Sequence, residues 1–378
     1  MQSPPGAETV IDGRRYLYFV GTGYLGLHGH PELIRAACRA VEQYGLGTAT
    51  TRAGFGNAAP TLEVEQRAAE FFDAQAAFYF ASGYVGNHLI VSSLIGEVDA
   101  VFADDGIHWS LVEASRLSGL PVHRFPHGDA DGLRRRLKEV LRPGQRPLVM
   151  SDGVFSALGS IAPVPDYLDV LREYPGAALC LDDCHAVGVL GEHGRGTFEH
   201  FGHHESGVNT LGGGPAKATQ AAHLFATGTL SKAFGAYGGI LWGSSAYIER
   251  VHATSHYYDG ASAPPIPAAA AGARALKLLS EEPHRMVRVR ENAVALKRGL
   301  RHLGLETDDS PVPIICLTLG SSENMQRIQR RLMDEDILIA YMKCYSGLPA
   351  TGALRIAVFA THTNSMLEQL VDTLRRVL

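Results

Sequence analysis

Seven short apolar runs, separated by stretches long enough for helices, constrain the fold more than any other feature of this chain. The runs are AAFYFAS, AVFAD, VHRFP, PLVMSDGV, AALCLDD, LFATGT and GGILWG, and they lie between residues 76 and 243. Strands that are apolar along their whole length and alternate with helices are typical of a mostly parallel sheet covered on both faces. The pattern therefore predicts an α/β fold.

The segments on either side of these runs predict two further parts. Residues 31–44 and a stretch from Thr61 space their apolar positions as amphipathic helices do. After the runs, one long helical pattern extends from near Pro267 through MVRVRENAVALKRGLRHLGL; VPIICLTL, ILIAYMK and ALRIAVFA then predict strands, accompanied by two more helices. A chain of 378 residues exceeds the usual size of a single core. We expect an N-terminal segment (1–45), a large domain (46–270) and a small C-terminal α+β domain (271–378).

Composition and charge exclude several classes of protein. The hydrophobic share of 46% and the charged share of 19% are those of an ordinary globular protein. A formal charge of −5 provides no basic field for nucleic acid, and no apolar run approaches the length of a membrane span. The N-terminus lacks the layout of a secretion signal, and the five cysteines show neither a paired framework nor zinc spacing. We therefore expect a cytoplasmic protein with no metal and no membrane or nucleic-acid partner.

Polar residues follow several of the predicted strands. They are Ser82, Asp104, residues 151–156, residues 182–185 and residues 229–232. Ligands of parallel sheets bind outside the carboxyl ends of the strands, so these residues are expected to converge on one rim.

Two of these strand ends carry charges that need an explanation. The motif DDCH places Asp182 at a strand end with His185 three residues later, and GTLSKAFGAYGG places Lys232 among small residues. In one interpretation Asp182 caps a turn and Lys232 is a solvated surface residue. In the other, Asp182 keeps a pyridinium nitrogen protonated, while Lys232 forms a Schiff base with a cofactor aldehyde and later acts as base or acid.

A phosphate site is predicted nearby. The stretch FASGYVGN, with Ser82 and Gly83, offers donors where a strand turns into a helix, and Thr229 adds a hydroxyl. The stretch GIHWSLVEA offers His108, whose flat ring could stack on a cofactor. For His108 and Ser156 a purely structural role is the alternative.

Eight motifs in order carry a family resemblance: YLGL, SGYVGN, HWSLVEASRLSG, DGVFSALGSIAP, DDCHAVGVLGEHGRG, GTLSKAFGAYGG, APP and RIAVFATHT. Together they resemble the α-oxoamine synthase family of fold-type I pyridoxal-phosphate (PLP) enzymes, from about Tyr16 to the C-terminus. The resemblance implies a large domain with a mostly parallel seven-stranded sheet and a smaller C-terminal α+β domain. It also implies PLP as cofactor, a homodimer with active sites at the subunit interface, and decarboxylative condensation of an amino acid with an acyl thioester, either acyl-CoA or a carrier-protein thioester, to give an α-aminoketone.

The resemblance also implies roles for individual residues. Lys232 matches the lysine that binds the cofactor, Asp182 the partner of the pyridine nitrogen, His185 the residue at the cofactor O3′ and His108 the stacked ring. Three further positions, Gly83, Tyr84 and Thr229, match phosphate contacts, and Ser156 matches a serine beside the ring. Arg355 matches the arginine that pairs with the amino-acid carboxylate, to which a bidentate guanidinium is well suited.

The departures from the family pattern cluster on the substrate side. Thr22 stands where the family has an asparagine near the substrate carboxylate, and Thr61 stands where a histidine is expected. Gly260 and Ala261 replace a Ser-Thr pair that would reach the neighbouring subunit's phosphate. A glycine-rich segment at 206–220 is predicted to be a mobile insertion. Two alternatives to the condensation therefore stay open: another PLP reaction on the same fold, such as an aminotransferase or a C–C lyase or aldolase, and a scaffold without catalysis.

Overall fold

The computed structural model describes residues 1–203, 208–209 and 222–378. Its strands are β1 (Glu8–Ile11), β2 (Arg14–Tyr18), β3 (Ala76–Phe80), β4 (Ala100–Asp104), β5 (Val122–Phe125), β6 (Pro147–Asp152), β7 (Ala177–Asp182), β8 (Ala222–Thr229), β9 (Gly239–Gly243), β10 (Ile314–Leu317), β11 (Ile337–Leu338), β12 (Ala340–Met342) and β13 (Ala353–Ala357). Its helices are α1 (Pro31–Tyr44), α2 (Ala59–Phe72), α3 (Gly83–Leu94), α4 (Trp109–Leu117), α5 (Ala130–Val140), α6 (Val164–Leu171), α7 (Thr197–His200), α8 (Ser245–Thr254), α9 (Ile266–Glu281), α10 (His284–Arg301), α11 (Ser322–Asp334) and α12 (Asn364–Val377). Most of the glycine-rich segment 206–220, predicted to be a mobile insertion, lies outside the described residues.

A seven-stranded sheet forms the centre of the molecule, in the order β3-β9-β8-β7-β6-β4-β5. Strands β4 to β8 run parallel to one another, whereas β9 runs antiparallel to both β8 and β3. Every residue of β4, β6 and β7 is buried, which is why these strands are apolar along their whole length. The predicted mostly parallel seven-stranded sheet is confirmed, and each of the seven apolar runs contains one of its strands.

A second apolar core lies beside the central sheet. The antiparallel sheet β10-β13-β12 packs with α11 and α12 there, around buried residues such as Ile315, Leu332 and Leu370. The same core includes Leu17 and Phe19 from the N-terminal segment. Strand β2 pairs in parallel with β11, so the start of the chain is tied to its last third.

Three local predictions need correction. The run ILIAYMK was predicted as one strand but is divided between two sheets, because Ile337–Leu338 pairs with β2 and Ala340–Met342 pairs with β13. The long helical pattern is two helices, interrupted at Glu282 and Pro283, since a proline amide cannot donate within a helix. The second helix begins at Ala59 rather than Thr61. No helix among the described residues is long and apolar enough to cross a bilayer.

Candidate active site

The site is centred on Asp182, the last residue of β7. Strand register places Asp152 of β6 and Thr227 of β8 beside it. The Asp182 carboxylate is buried and accepts hydrogen bonds from Asn87 Nδ2 at 2.7 Å, Ser110 Oγ at 3.3 Å and Cys184 N at 3.0 Å. Burial alone would raise the pKa of Asp182, but the positive charge of Lys232, the neighbouring His108 ring and the hydrogen bonds from Cys184 and Asn87 lower it below its ordinary value. Asp182 is therefore a buried anion.

Lys232 lies in the turn between β8 and β9 and supplies the nearby positive charge. The turn is held by Thr229 Oγ1, which donates to Gly238 O at 2.8 Å, and by Gly238 N, which donates to Ser231 Oγ at 3.1 Å. Within the described part of the chain, no hydrogen bond or ion pair holds the Lys232 ammonium. Its charge nevertheless acts on Asp182, His108 and His185, so the lysine faces the site rather than bulk solvent.

His108 begins α4 and lies on the other side of the same centre. Its Nδ1 accepts from Ser110 N at 3.2 Å and lies 2.8 Å from Ser110 Oγ, which in turn contacts Asp182. The backbone N–H of His108 donates to Asp152 Oδ1 at 3.2 Å. Burial lowers the pKa of His108, so its ring is neutral near pH 7. Ser110 thus links the ring and the buried anion.

A cradle for an anion forms where β3 leads into α3. Ser82 caps the helix and accepts from Tyr84 N at 3.3 Å. A Cβ placed on Gly83 would lie 2.7 Å from Thr229 Cβ, so the helix start and the Lys232 turn meet there with room only for glycine. The backbone N–H groups at the N-terminus of α3 are donors suited to a phosphate, and Thr229, whose hydroxyl donates to Gly238 O, borders the cradle. The Tyr84 ring lies edge-on to His108, with centroids 5.9 Å apart.

Arg355, on β13, reaches the site from the second core. It donates to Ser156 O at 2.9 Å, to Gly21 O at 3.0 Å and to the Tyr24 hydroxyl at 3.3 Å. Its side chain is only 6% exposed. No carboxylate among the described residues pairs with it, although a buried guanidinium is costly without a counter-ion.

A hydrogen-bonded chain joins Arg355 to His185. The Tyr24 hydroxyl lies 2.7 Å from His185 Nδ1 and accepts from Arg355, so its own proton points to the histidine. Burial, followed by the charges of Lys232 and Arg355, holds the pKa of His185 well below its ordinary value. His185 is therefore neutral and carries its proton on Nε2, where it can donate to a group in the site.

The four residues that depart from the family pattern lie in three separate segments of the chain. Thr22 is half-buried and adjoins Gly21, whose carbonyl accepts from Arg355. Thr61 lies inside α2 and is fully buried. Gly260 and Ala261 lie in a loop that pairs with residues 50–53.

Several residues of the site were not predicted from the sequence. Tyr24, Asn87 and Ser110 contact predicted residues, and Tyr345 enters from the loop after β12. The motifs YLGL, SGYVGN and HWSLVEASRLSG include Tyr24, Asn87 and Ser110, so their positions were signalled although no role was assigned. Asp152 lay within the predicted polar range 151–156, and the structure places it beside Asp182. Nothing in the sequence marked Tyr345.

These residues fit PLP. A buried carboxylate with a lowered pKa suits a protonated pyridine nitrogen, and the cradle at Gly83 and Thr229 suits a phosphate. A lysine without a fixed partner suits the aldehyde carbon between them.

Comparison with known proteins decides the family. The family model for class I and II aminotransferases matches residues 22–374. The 8-amino-7-oxononanoate synthase of Cellvibrio japonicus is 35% identical over 378 residues, which cover 100% of this chain and 90% of that protein. The 8-amino-7-oxononanoate synthase of Symbiobacterium thermophilum is also 35% identical, and the match covers 100% of this chain and 92% of that protein. The chain belongs to the α-oxoamine synthase family.

Solved structures agree with this family assignment. Serine palmitoyltransferase from Sphingomonas wittichii superposes with a TM-score of 0.89 at 25% identity, covering 100% of this chain and 91% of that one. A high-resolution structure of SPT with PLP has a TM-score of 0.88 at 26% identity, and the match covers 100% of this chain and 90% of that one. The expected fold-type I architecture and the expected PLP cofactor are confirmed. The chain is a PLP-dependent enzyme of the acyltransferase type, and the expected class of reaction, joining an amino acid to an acyl thioester, is confirmed at the level of the family.

Proposed function

We propose that this enzyme binds its amino acid through the carboxylate at Arg355 and condenses it with an acyl thioester, releasing CO2 and an α-aminoketone. The observation that carries the proposal is the buried guanidinium of Arg355, which has no carboxylate partner within the described residues and lies on the same hydrogen-bonded chain as His185. An incoming carboxylate would supply the missing counter-ion and accept the N–H groups that remain free.

The described residues provide a place for each part of the cofactor. Asp182 would hold the pyridine nitrogen, His108 would cover a ring face and His185 would donate to the ring hydroxyl. The helix start at Gly83, with Thr229, would hold the phosphate, and Ser82 and Tyr84 flank it. When bound through Lys232, PLP supplies an electron sink for charge that develops at the amino acid's α-carbon.

The protein groups around this centre have separate tasks. Lys232 has no fixed partner among the described residues and would be available to move a proton at the substrate's α-carbon. His185 is neutral and is held by Tyr24. It can therefore donate a hydrogen bond from Nε2 without adding a second positive charge to the site. Ser156 presents its carbonyl to Arg355 and so orients the guanidinium toward the site.

A homodimer is part of the proposal. The side chains of Leu46, Phe55, Tyr237 and Tyr257 are exposed, and Phe55 is 100% exposed. We call these four residues the apolar patch. Leu46, Phe55 and Tyr257 lie on loops that hydrogen-bond to each other through Ala53 N and Tyr258 O at 3.2 Å, among other contacts.

The apolar patch reaches the active site through Tyr237. The Tyr237 carbonyl accepts from the Tyr79 hydroxyl at 2.9 Å, and Tyr237 belongs to the same turn as Lys232. Large apolar side chains exposed on such loops are typical of an association surface. A second copy of the chain seated there would lie beside the active site, as the family resemblance implies.

Product analysis tests the function. The PLP-loaded enzyme is incubated with pooled amino acids, with and without pooled acyl-CoA and carrier-protein thioesters, and the products are identified by mass spectrometry. The proposal predicts an aminoketone that appears only with a thioester and is absent with the Lys232→Ala variant. A 2-oxo acid or an aldehyde formed without any thioester would show that the site performs transamination or C–C cleavage instead.

A further inference from the structure

Tyr345 lies in the site, but the proposed function assigns it no role. It lies in the loop between β12 and β13, yet its ring is directed at the large-domain side of the site, 6.2 Å from the His108 ring between centroids. The Ser156 side chain is near enough to lower the pKa of the Tyr345 phenol. Because the Ser156 carbonyl also accepts from Arg355, the Tyr345 phenol lies next to the group proposed to hold the substrate carboxylate.

The half-buried Tyr345 side chain is influenced by the charged groups of the site. Burial raises the pKa of Tyr345, the Asp152 and Asp182 carboxylates act in the same direction, and Ser156 and Arg355 oppose them. Tyr345 also contributes to the raised pKa of Tyr24, which is due mainly to burial. The phenol therefore lies within electrostatic reach of charged groups of the site and remains protonated near pH 7.

The loop that carries Tyr345 is held in place. Leu348 N donates to Tyr345 O at 3.2 Å, which forms a turn, and the Tyr341 hydroxyl donates to Thr351 O at 2.9 Å across the base of the loop. A Cβ on Gly347 would lie 3.1 Å from Leu158 Cδ1 and 3.5 Å from Gly106 Cα, so the turn packs closely on the large domain. The position of the Tyr345 ring is thus set by contacts on both sides.

We infer that Tyr345 determines specificity by limiting the amino-acid substrate to a small side chain. The inference rests on the proposed function. A substrate that reaches Lys232 with its amine and Arg355 with its carboxylate must place its α-carbon between them, beside His108 and Ser156. The Tyr345 ring occupies space next to both of these residues, and a large α-substituent pointing that way would have to displace it.

The test compares Tyr345→Ala, which removes the ring, with Tyr345→Phe, which keeps the ring and loses the hydroxyl. Each PLP-loaded variant is titrated with glycine, alanine, serine, leucine and phenylalanine, and the dissociation constants are read from the cofactor's absorbance. The wild type is expected to bind leucine and phenylalanine weakly. Tyr345→Ala should improve the ratio of leucine to alanine affinity by about 10-fold or more, and Tyr345→Phe should change it by less than about 3-fold.

Three results would overturn the inference: a wild type that binds leucine as well as alanine, a Tyr345→Ala ratio equal to that of the wild type, or a Tyr345→Phe shift as large as that of Tyr345→Ala. Cofactor content and melting temperature, measured for each variant, separate a local effect from a misfolded loop. The binding ratios do not require turnover. If the wild type binds amino acids but forms no aminoketone, the condensation is wrong while the ratios still decide the role of Tyr345; if it binds no amino acid, both proposals are wrong.

Discussion

Two aspartates lie side by side in the central sheet, and their surroundings shift their pKa values in opposite directions. Asp152 and Asp182 are register partners on β6 and β7. Asp182 is kept ionised by Lys232, His108 and donors from Asn87 and Cys184, despite its burial. Burial and the Asp182 charge raise the pKa of Asp152 well above its ordinary value, and its Oδ2 has no hydrogen-bond partner among the described residues. The surroundings therefore keep Asp182 as an anion and favour the protonated form of Asp152.

This difference gives a matched pair of variants. Asp182→Asn removes the buried anion and should lower kcat/KM by about 100-fold or more, with weaker PLP retention. Asp152→Asn replaces a neutral carboxyl by a neutral amide of the same shape and should cost less than about 10-fold. The measurement is steady-state kinetics with PLP content determined by absorbance. Equal losses in the two variants would show that Asp152 is also ionised.

The carboxylate site at Arg355 is tested by a change that keeps the charge. Arg355→Lys loses the planar fork and the contacts to Gly21 and Tyr24, so the amino-acid dissociation constant should rise by about 10-fold or more. The KM for the thioester should change little, because the proposal assigns the Arg355 guanidinium to the amino-acid carboxylate and not to the thioester. A dissociation constant equal to that of the wild type would place the substrate carboxylate elsewhere.

At the residue scale, sequence motifs predicted the charged centre better than the residues that orient it. Lys232, Asp182, His185 and His108 were each identified, and the structure brings them within mutual electrostatic reach. Tyr345 could not be found in this way, because its partners Ser156 and His108 are far away in the chain and tyrosine is common on loops.

At the element scale, His362 joins the N-terminal segment to the second core. Its Nδ1 accepts from Phe359 N at 2.9 Å, its Nε2 lies 3.2 Å from Tyr18 O, and its ring stacks on Phe19 with centroids 4.1 Å apart. Burial lowers the pKa of His362 to about 4, although the Tyr18 carbonyl opposes the shift. The neutral ring thus holds β2 against the turn before α12.

A dependence of stability on pH follows from this contact. The folded pKa lies below the unfolded value near 6.5, so the contribution is complete above pH 6.5 and is lost as the pH falls toward 4. Between pH 7 and pH 5 this histidine should cost ~2 kcal/mol of unfolding free energy. Denaturant unfolding of the wild type and of His362→Phe at both pH values measures it. The variant should lose less stability than the wild type on acidification; an equal loss would assign the effect to other groups.

Strands were predicted where burial on both faces leaves a continuous apolar run, as in β4, β6 and β7. The hairpin of β1 and β2 was missed because Arg14 and Arg15 are exposed and interrupt the apolar pattern. The division of ILIAYMK was missed for a different reason: both halves are apolar, and only their partners, β2 and β13, distinguish them.

At the scale of the whole molecule, the apolar patch predicts a dimer that activity requires. Leu46→Glu should convert the dimer to a monomer and lower activity, because it places a charge in the interface. Leu117→Glu is the matched control, since Leu117 lies on α4 outside the patch and both leucines are 72% exposed. Sedimentation velocity gives the oligomeric state. A Leu46→Glu dimer with full activity would contradict the proposed interface.

The most direct test of the central claim is the stoichiometry of the reaction. The enzyme is supplied with an amino acid labelled with ¹³C in the carboxyl group, together with the acyl thioester identified by product analysis, and labelled CO2, free thiol and aminoketone are quantified over the same time course. A decarboxylative condensation requires equimolar release of all three and no labelled CO2 when the thioester is omitted. Labelled CO2 without thiol release, or an acylated product that keeps the label, would contradict a decarboxylative condensation at this site.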